Sequence, residues 1–156
     1  MNIPSLKKIK KSGGFTLLEL MIVCGIVVVV LVGLLATYVA CFELAETTRN
    51  THMALVETKA VLENMRGIAF TSVYGTYNGH VFQVPQMAAN QSLGYVVINN
   101  SNASLLRVDA GVCWKQKNDR IIGECQESSG ALVFSDANGN GILDSPVQVT
   151  TLMSQR

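Results

Sequence analysis

The chain has 156 residues, enough for one ordinary domain and an appendage, and 49% of them are apolar. The formal charge of +1 hides an asymmetry. Lys7, Lys8, Lys10 and Lys11 stand in the first 14 residues without an acid, and the remainder holds eight basic against eleven acidic residues, a net of −3. That balance excludes a broad nucleic-acid-binding surface, whose first requirement is clustered Lys and Arg, so no nucleic acid is expected as a partner; a small local site stays open.

Residues 1–14, MNIPSLKKIKKSGG, read as a basic leader. An apolar run follows, 23 residues from Leu20 to Phe42, in which only Thr37 is plainly polar. Such a run can cross the roughly 30 Å hydrocarbon core of a bilayer as a helix. A buried core helix is the alternative, but cores seldom need apolar residues on every side over that length. A secretory signal peptide fits poorly: the run is too long, no A-x-A-like site follows it, and the small residues Ser12, Gly13 and Gly14 precede it. The lysines should stay cytoplasmic, with the chain beyond Phe42 translocated. Glu19 stands at the start of the run. A carboxylate at the centre of a membrane helix costs about 2.5–3.5 kcal/mol, so one that persists there calls for a partner or a function. Snorkelling to the interface within its own chain is the alternative. Cys24 and Cys41 are 17 residues apart, about 25 Å along a helix, too far to bond each other.

No proline interrupts residues 15–84, so one helix is expected from about Phe15 to Met65 or Arg66, with Gly67 as its stop. Roughly 52 residues at about 1.5 Å each give a rod near 78 Å. Gly25 and Gly33 weaken its first half and allow unwinding or close packing. In the second half, Leu44, Thr48, Leu55, Leu62 and Met65 form a stripe at helical spacing with charged residues around it, as for a helix laid on a sheet.

After Gly67 short runs alternate with Gly, Asn and Ser. YGTYNGHVFQVPQMAANQSLG reads as loop with one short strand near His80–Val84. YVVINN, SLLRVDAGVCWKQ, RIIGEC, ALVFSD and VQVTTLM read as strands. The expected fold class is α+β: a small antiparallel sheet of four or five strands packed on the long helix, which must supply much of the core. VCWKQKNDRIIGEC reads as a hairpin. A two-residue loop at Asn118-Asp119 puts Cys113 opposite Glu124; a three-residue loop, Asn118–Arg120, puts Cys113 opposite Cys125 and favours a disulfide. That bridge implies an oxidising compartment; two free thiols are the alternative.

DANGNGILD spaces Asp136, Asn138, Asn140 and Asp144 like the oxygen donors of a calcium loop, with Gly141 at the turn. The twelfth position is Val147, so the bidentate Glu is missing, and an Asx/Gly-rich turn is the plainer reading. No cofactor is expected, calcium being the one cation to consider. His52 and His80 are isolated, and no nucleophile–base–acid set is visible, so no enzyme is expected.

KKSGGFTLLELMIV resembles the N-terminal signature of type IV prepilins and of the pseudopilins of type II secretion. The resemblance implies cleavage by prepilin peptidase between Gly14 and Phe15, N-methylation of Phe15 by the same peptidase/methyltransferase, and pairing of Glu19 with the N-terminal amine of a neighbouring subunit. It implies a leader at 1–14, a membrane and assembly segment at 15–42, an amphipathic half-helix at 43–66 and a sheet-bearing head at 67–156. The expected partners are other pilin or pseudopilin subunits, the peptidase and an inner-membrane assembly platform. The expected place is the bacterial inner membrane, single-pass, with the head in the periplasm, then a pilus at the cell surface or a periplasmic pseudopilus. VCWKQK and VQVTTLMSQR also resemble strands of PilV-type pilins. Many members carry a helix-bending proline where this chain has Ala36. Alternatives are a pseudopilus tip subunit, a minor pilin that binds DNA or a surface through Arg107, Lys115, Lys117, Arg120 and Arg156, and a membrane-anchored enzyme.

Overall fold

The computed structural model describes residues 14–102 and 104–155. The leader lysines and Arg156 lie outside the described residues. The chain divides into two compact units, one ending at Phe42 and the other Glu43–Arg156.

Helix α1 runs from Leu17 to Arg66, 50 residues, and is continuous through Gly25, Gly33 and Ala36. Within the first unit every described side chain is exposed. Apolar residues on all sides leave no seam, which is the composition of a helix whose surroundings are themselves apolar. Thr37 donates its hydroxyl to the Gly33 carbonyl (3.0 Å), so the polar residue in the run is satisfied within the helix. Tyr38 and Phe42 stack edge to face at 4.6 Å.

In the second unit α1 packs on a sheet along Ala54, Thr58, Val61, Leu62 and Met65. The expected stripe is half right. Leu62 and Met65 are buried and Leu55 is half-buried, but Leu44 and Thr48 are exposed. The seam instead passes Thr47, Thr51, Ala54 and Thr58. Thr47, Thr51 and Thr58 donate to the carbonyls of Glu43, Thr47 and Ala54, each at 2.8 Å. A threonine bonded to its own helix presents a methyl outward, so a residue that reads as polar can be buried. The Gly67 N–H ends the helix on the carbonyls of Glu63 (3.2 Å) and Asn64 (3.1 Å).

Helix α2, Phe70–Tyr77, follows, and its second half, from Tyr74, lies where loop was expected. Its sequence, FTSVYGTY, has β-branched, aromatic and glycine residues and no side-chain cap, all weak helix signals. Burial decides it: Val73 is 2% exposed, with Phe70 and Tyr77 packed on the same cluster.

The strands are β1 (Val81–Phe82), β2 (Ser92–Asn102), β3 (Leu105–Lys115), β4 (Ile121–Ile122), β5 (Cys125–Ser128), β6 (Ala131–Phe134) and β7 (Val147–Ser154). The main sheet is five-stranded and antiparallel: β1, β2 and β3 in order, with β4 and β7 sharing the far side of β3. β5 and β6 pair only with each other. One face of the sheet carries Val96, Ile98, Leu106, Val108, Ala110, Val112 and Trp114 to the helices. The other is half covered by β5, β6 and the loop after them, around Leu93, Cys113, Leu132 and Leu143.

The β3–β4 register corrects the expected hairpin. Trp114 pairs with Ile122 and Lys115 with Ile121, so Cys113 lies opposite Gly123. The turn closes one residue early, at Lys117–Asp119: the Gln116 N–H donates to Arg120 O (2.9 Å), Arg120 N–H donates to Asn118 Oδ1 (3.2 Å), and Asp119 takes φ 62°. An Asx turn followed by an Asp in the left-handed region needs no longer loop. Gly123, at φ 96°, then ends β4, and a Cβ there would collide with the Cys113 side chain. The slip of two residues keeps Cys125 on the same side, and it bonds Cys113 with a Cα–Cα distance of 6.3 Å.

Two glycines test this packing. A Cβ at Gly111 would press on the Leu143 backbone carbonyl, whereas one at Gly75, inside α2, meets nothing within 4 Å. Gly111→Ala should destabilise by about 1–3 kcal/mol, as overpacking does, and Gly75→Ala should stabilise by about 0.4–1 kcal/mol. Thermal unfolding of the full chain in detergent should shift in opposite directions for the two.

Candidate functional site

The start of α1 is built by four residues. Gly14, Phe15 and Thr16 precede the helix, and Phe15 is 77% exposed. Thr16 is the cap: its Oγ1 accepts the Glu19 N–H (3.3 Å), and its carbonyl accepts the Leu20 N–H (3.1 Å). Glu19 is the acidic residue of the first turn. Thr16-Leu17-Leu18-Glu19 is therefore a T-x-x-E capping sequence, with a carboxylate at the positive end of the helix dipole. The T-x-x-E spacing ahead of an apolar run is a capping signature visible in the sequence alone. No described residue bonds the Glu19 carboxylate. Gly14 has open space where a side chain would stand. Beyond the first turn the helix is long and apolar enough to cross a membrane.

Comparison with known proteins meets this segment. Residues 9–35 match the family model of the prokaryotic N-terminal methylation motif. That stretch is the type IV prepilin and pseudopilin signal. It holds Gly14, Phe15 and Glu19, together with the capped start of α1 and the apolar run as far as Leu35. No curated protein and no solved structure matches the chain. The motif supports a type IV pilin-like precursor subunit, and the proteins that carry it are structural pilin subunits.

The other residues singled out in the sequence fall into separate places. Cys113 is fully buried on β3 and is bonded to Cys125 at the start of β5; Cys24 and Cys41 are free and exposed on α1. The loop between β6 and β7 brings Asp136, Asn138, Asn140 and Asp144 together. The Asp136 carboxylate accepts the N–H groups of Gly139 (2.7 Å), Asn140 (3.1 Å) and Gly141 (2.7 Å). Asp144 Oδ2 accepts the side-chain amides of Asn138 (2.6 Å) and Asn140 (3.2 Å). These four are the side chains that could hold a hard cation. Their oxygens already serve the loop's own donors, and Val147, at the twelfth position, is buried in β7. Among the described residues no three His, Cys, Asp or Glu side chains gather as a metal set.

Among the described cations of the head, Lys115, Lys117 and Arg120 lie in and beside the β3–β4 turn, and Arg107 lies near the start of β3. Arg107 is paired with the buried Asp109 (3.0 Å), which also accepts the Thr150 hydroxyl (2.5 Å). Lys115 is held by Glu127 (2.8 Å) and Asp119 (3.0 Å), and these hydrogen bonds, Glu127 first, keep its ammonium above the ordinary lysine range. Lys117 lies in the turn beyond β3, and its N–H donates to Glu46 Oε1 (3.2 Å). His52 is exposed on α1, and His80 stacks on Phe82 with ring centroids 6.4 Å apart.

Proposed function

We propose that the chain is a structural subunit, pilin or minor pilin, of a type IV pilus or a pilus-like type II secretion filament. Cleavage between Gly14 and Phe15 removes the leader 1–14 and frees the Phe15 amine for methylation. Residues 15–42 anchor the subunit in the bacterial inner membrane and pack the filament core; residues 43–66 carry the head, 67–156, in the periplasm. The inner-membrane assembly platform then passes it to a pilus or periplasmic pseudopilus. The observation that carries this reading is the prepilin signal lying on an exposed helix start that is apolar except for Glu19. The PilV-type likeness rests on the strands around Trp114 and Leu152 alone.

In this reading Glu19 sets register. Helices coated with aliphatic side chains slide past one another easily, whereas an ion pair fixes one axial position. A neighbour's Phe15 amine, arriving one turn from the carboxylate, meets an opposite charge in surroundings of low dielectric. Removing one partner of such a pair costs about 3–5 kcal/mol, because the other is left buried and uncompensated. The pairing of Arg107 and Lys115 with acids of the head favours a subunit that takes no nucleic acid. The loop of Asp136 supports a head without a cofactor, since its carboxylate already caps three backbone N–H groups.

Intact-mass measurement of the membrane-extracted protein should give a chain beginning at methylated Phe15, and Gly14→Val should accumulate as uncut precursor. A mature chain starting elsewhere contradicts the processing site. Glu19→Ala should be cleaved and inserted like wild type yet reach sheared filaments at least about tenfold less, as expected from a lost buried pair. Thr16→Ala, which removes only the cap, should assemble normally; equal incorporation of Glu19→Ala would sink the register role. Melting curves in calcium and in chelator should coincide within about 2 °C, since only a ligand that binds the folded state raises the transition. A larger rise in calcium would make the loop a metal site.

A further inference from the structure

The two faces of the sheet are closed by unequal means. Toward the helices, nine buried residues from α1, α2, β2 and β3 form one cluster, and Ala54, Val84, Val112, Trp114 and Val147 extend it. On the other face lies a single excursion of the chain, Gly123–Asp144. It leaves the sheet after Ile122 and returns at Ser145, whose hydroxyl donates to the Val112 carbonyl. Its strands β5 and β6 make no ladder with the main sheet. Of its 22 residues only Leu132 and Leu143 are buried. Phe134 stacks on Tyr95 at 4.7 Å, and Glu127 meets Lys115 in a surface ion pair at 2.8 Å. Two buried leucines, one stacked ring and one surface pair are little against the backbone entropy of ordering so long a segment. The remaining tie is covalent: Cys125, at the start of the excursion, is bonded to the fully buried Cys113.

We infer that Gly123–Asp144 is a strap latched by the Cys113–Cys125 bond, and that breaking the bond opens the strap while the helix-facing core stays folded. A dithiol reductant supplies the two electrons and two protons: the disulfide becomes two thiols, and the reductant closes its own disulfide. The strap then moves on its two ends at Ile122 and Ser145. Leu93, Tyr95, Gly111 and Cys113 become an open apolar face on the sheet. A subunit whose bond has not been made is thereby distinguishable from a finished one by exposed apolar surface, with no change to its helix.

Hydrogen exchange of the full chain in detergent micelles, followed by peptide mass mapping, tests this. Oxidised wild type is compared with wild type reduced by a dithiol and with Cys125→Ser. In both unlatched forms the amides of residues 124–143 should exchange at least about tenfold faster, while those of residues 94–98 and 106–112 stay within about twofold, as for a sub-global opening. In Cys125→Ser the Cys113 thiol should label with a maleimide at close to its rate in denaturant, although it is fully buried in the oxidised protein. Unchanged exchange in 124–143, or a Cys113 that stays unreactive, would show that the strap holds without the latch. Loss of protection throughout the sheet would make the bond a staple of the whole head. Either result overturns the proposal.

Discussion

Between Gly111 and Trp114 the central strand touches protein on both sides, and the head is arranged around that double burial. Val112 and Trp114 face the helices; Gly111 and Cys113 face the second layer. Burying one large apolar side chain contributes about 1.5–3 kcal/mol, so a strand used on both faces is the densest source of stability in a small domain. It also imposes conditions. Gly111 has no side chain because the Leu143 carbonyl occupies that space. Farther along, where the second layer ends, the same face returns to polar residues. Asp109 is nevertheless almost wholly covered, and Arg107 and Thr150 supply the partners a buried carboxylate requires.

The helix seam answers the same demand from the other side. Ala54 and Thr58 are small, so α1 can lie close to β3, and Trp114 fills the space beside Ala54. The threonine hydroxyls are turned onto the helix's own carbonyls. α1 thus carries two patterns in one continuous element. Before Phe42 apolar residues cover every side. After Glu43 one side is lined by Thr47, Thr51, Ala54, Thr58, Val61, Leu62 and Met65, and the charged residues lie on the others.

The difference in pattern explains what the sequence made legible. The long strands and the helix stop at Gly67 announce themselves, because alternation and an apolar period are direct consequences of burial. The prepilin signal is local and therefore readable in full. Contacts between distant segments were not readable. Thr47, Thr51 and Thr58 look polar until their hydroxyls are seen bonded. α2 is held by Val73, Phe70 and Tyr77 against a core assembled elsewhere, so its local propensity misleads. The β3–β4 register turned on whether Lys117 or Asn118 begins the turn, a choice settled by the positive φ of Asp119. The cysteines meet under either spacing, since a slip of two residues preserves the face.

Glu19 shows how a cap and a charge are separated. A capping sequence is served by Glu or Gln alike, because both can reach back to the start of the helix. Thr16 already satisfies the Glu19 N–H, so the cap makes no special demand for a negative charge. The helix dipole makes a small one, equivalent to about half a unit of positive charge at the N-terminus and worth roughly 0.3–1 kcal/mol at an exposed site. Against that stands the larger penalty for a carboxylate drawn toward lipid, about 2.5–3.5 kcal/mol at the helix centre and less near the interface. Cap and dipole together do not compel a charge beside so much aliphatic surface. A full positive charge within reach does, and cleavage before Phe15 would create one a single turn away. In the proposed filament each newly made amine finds a carboxylate, and neither charge need enter the apolar core alone.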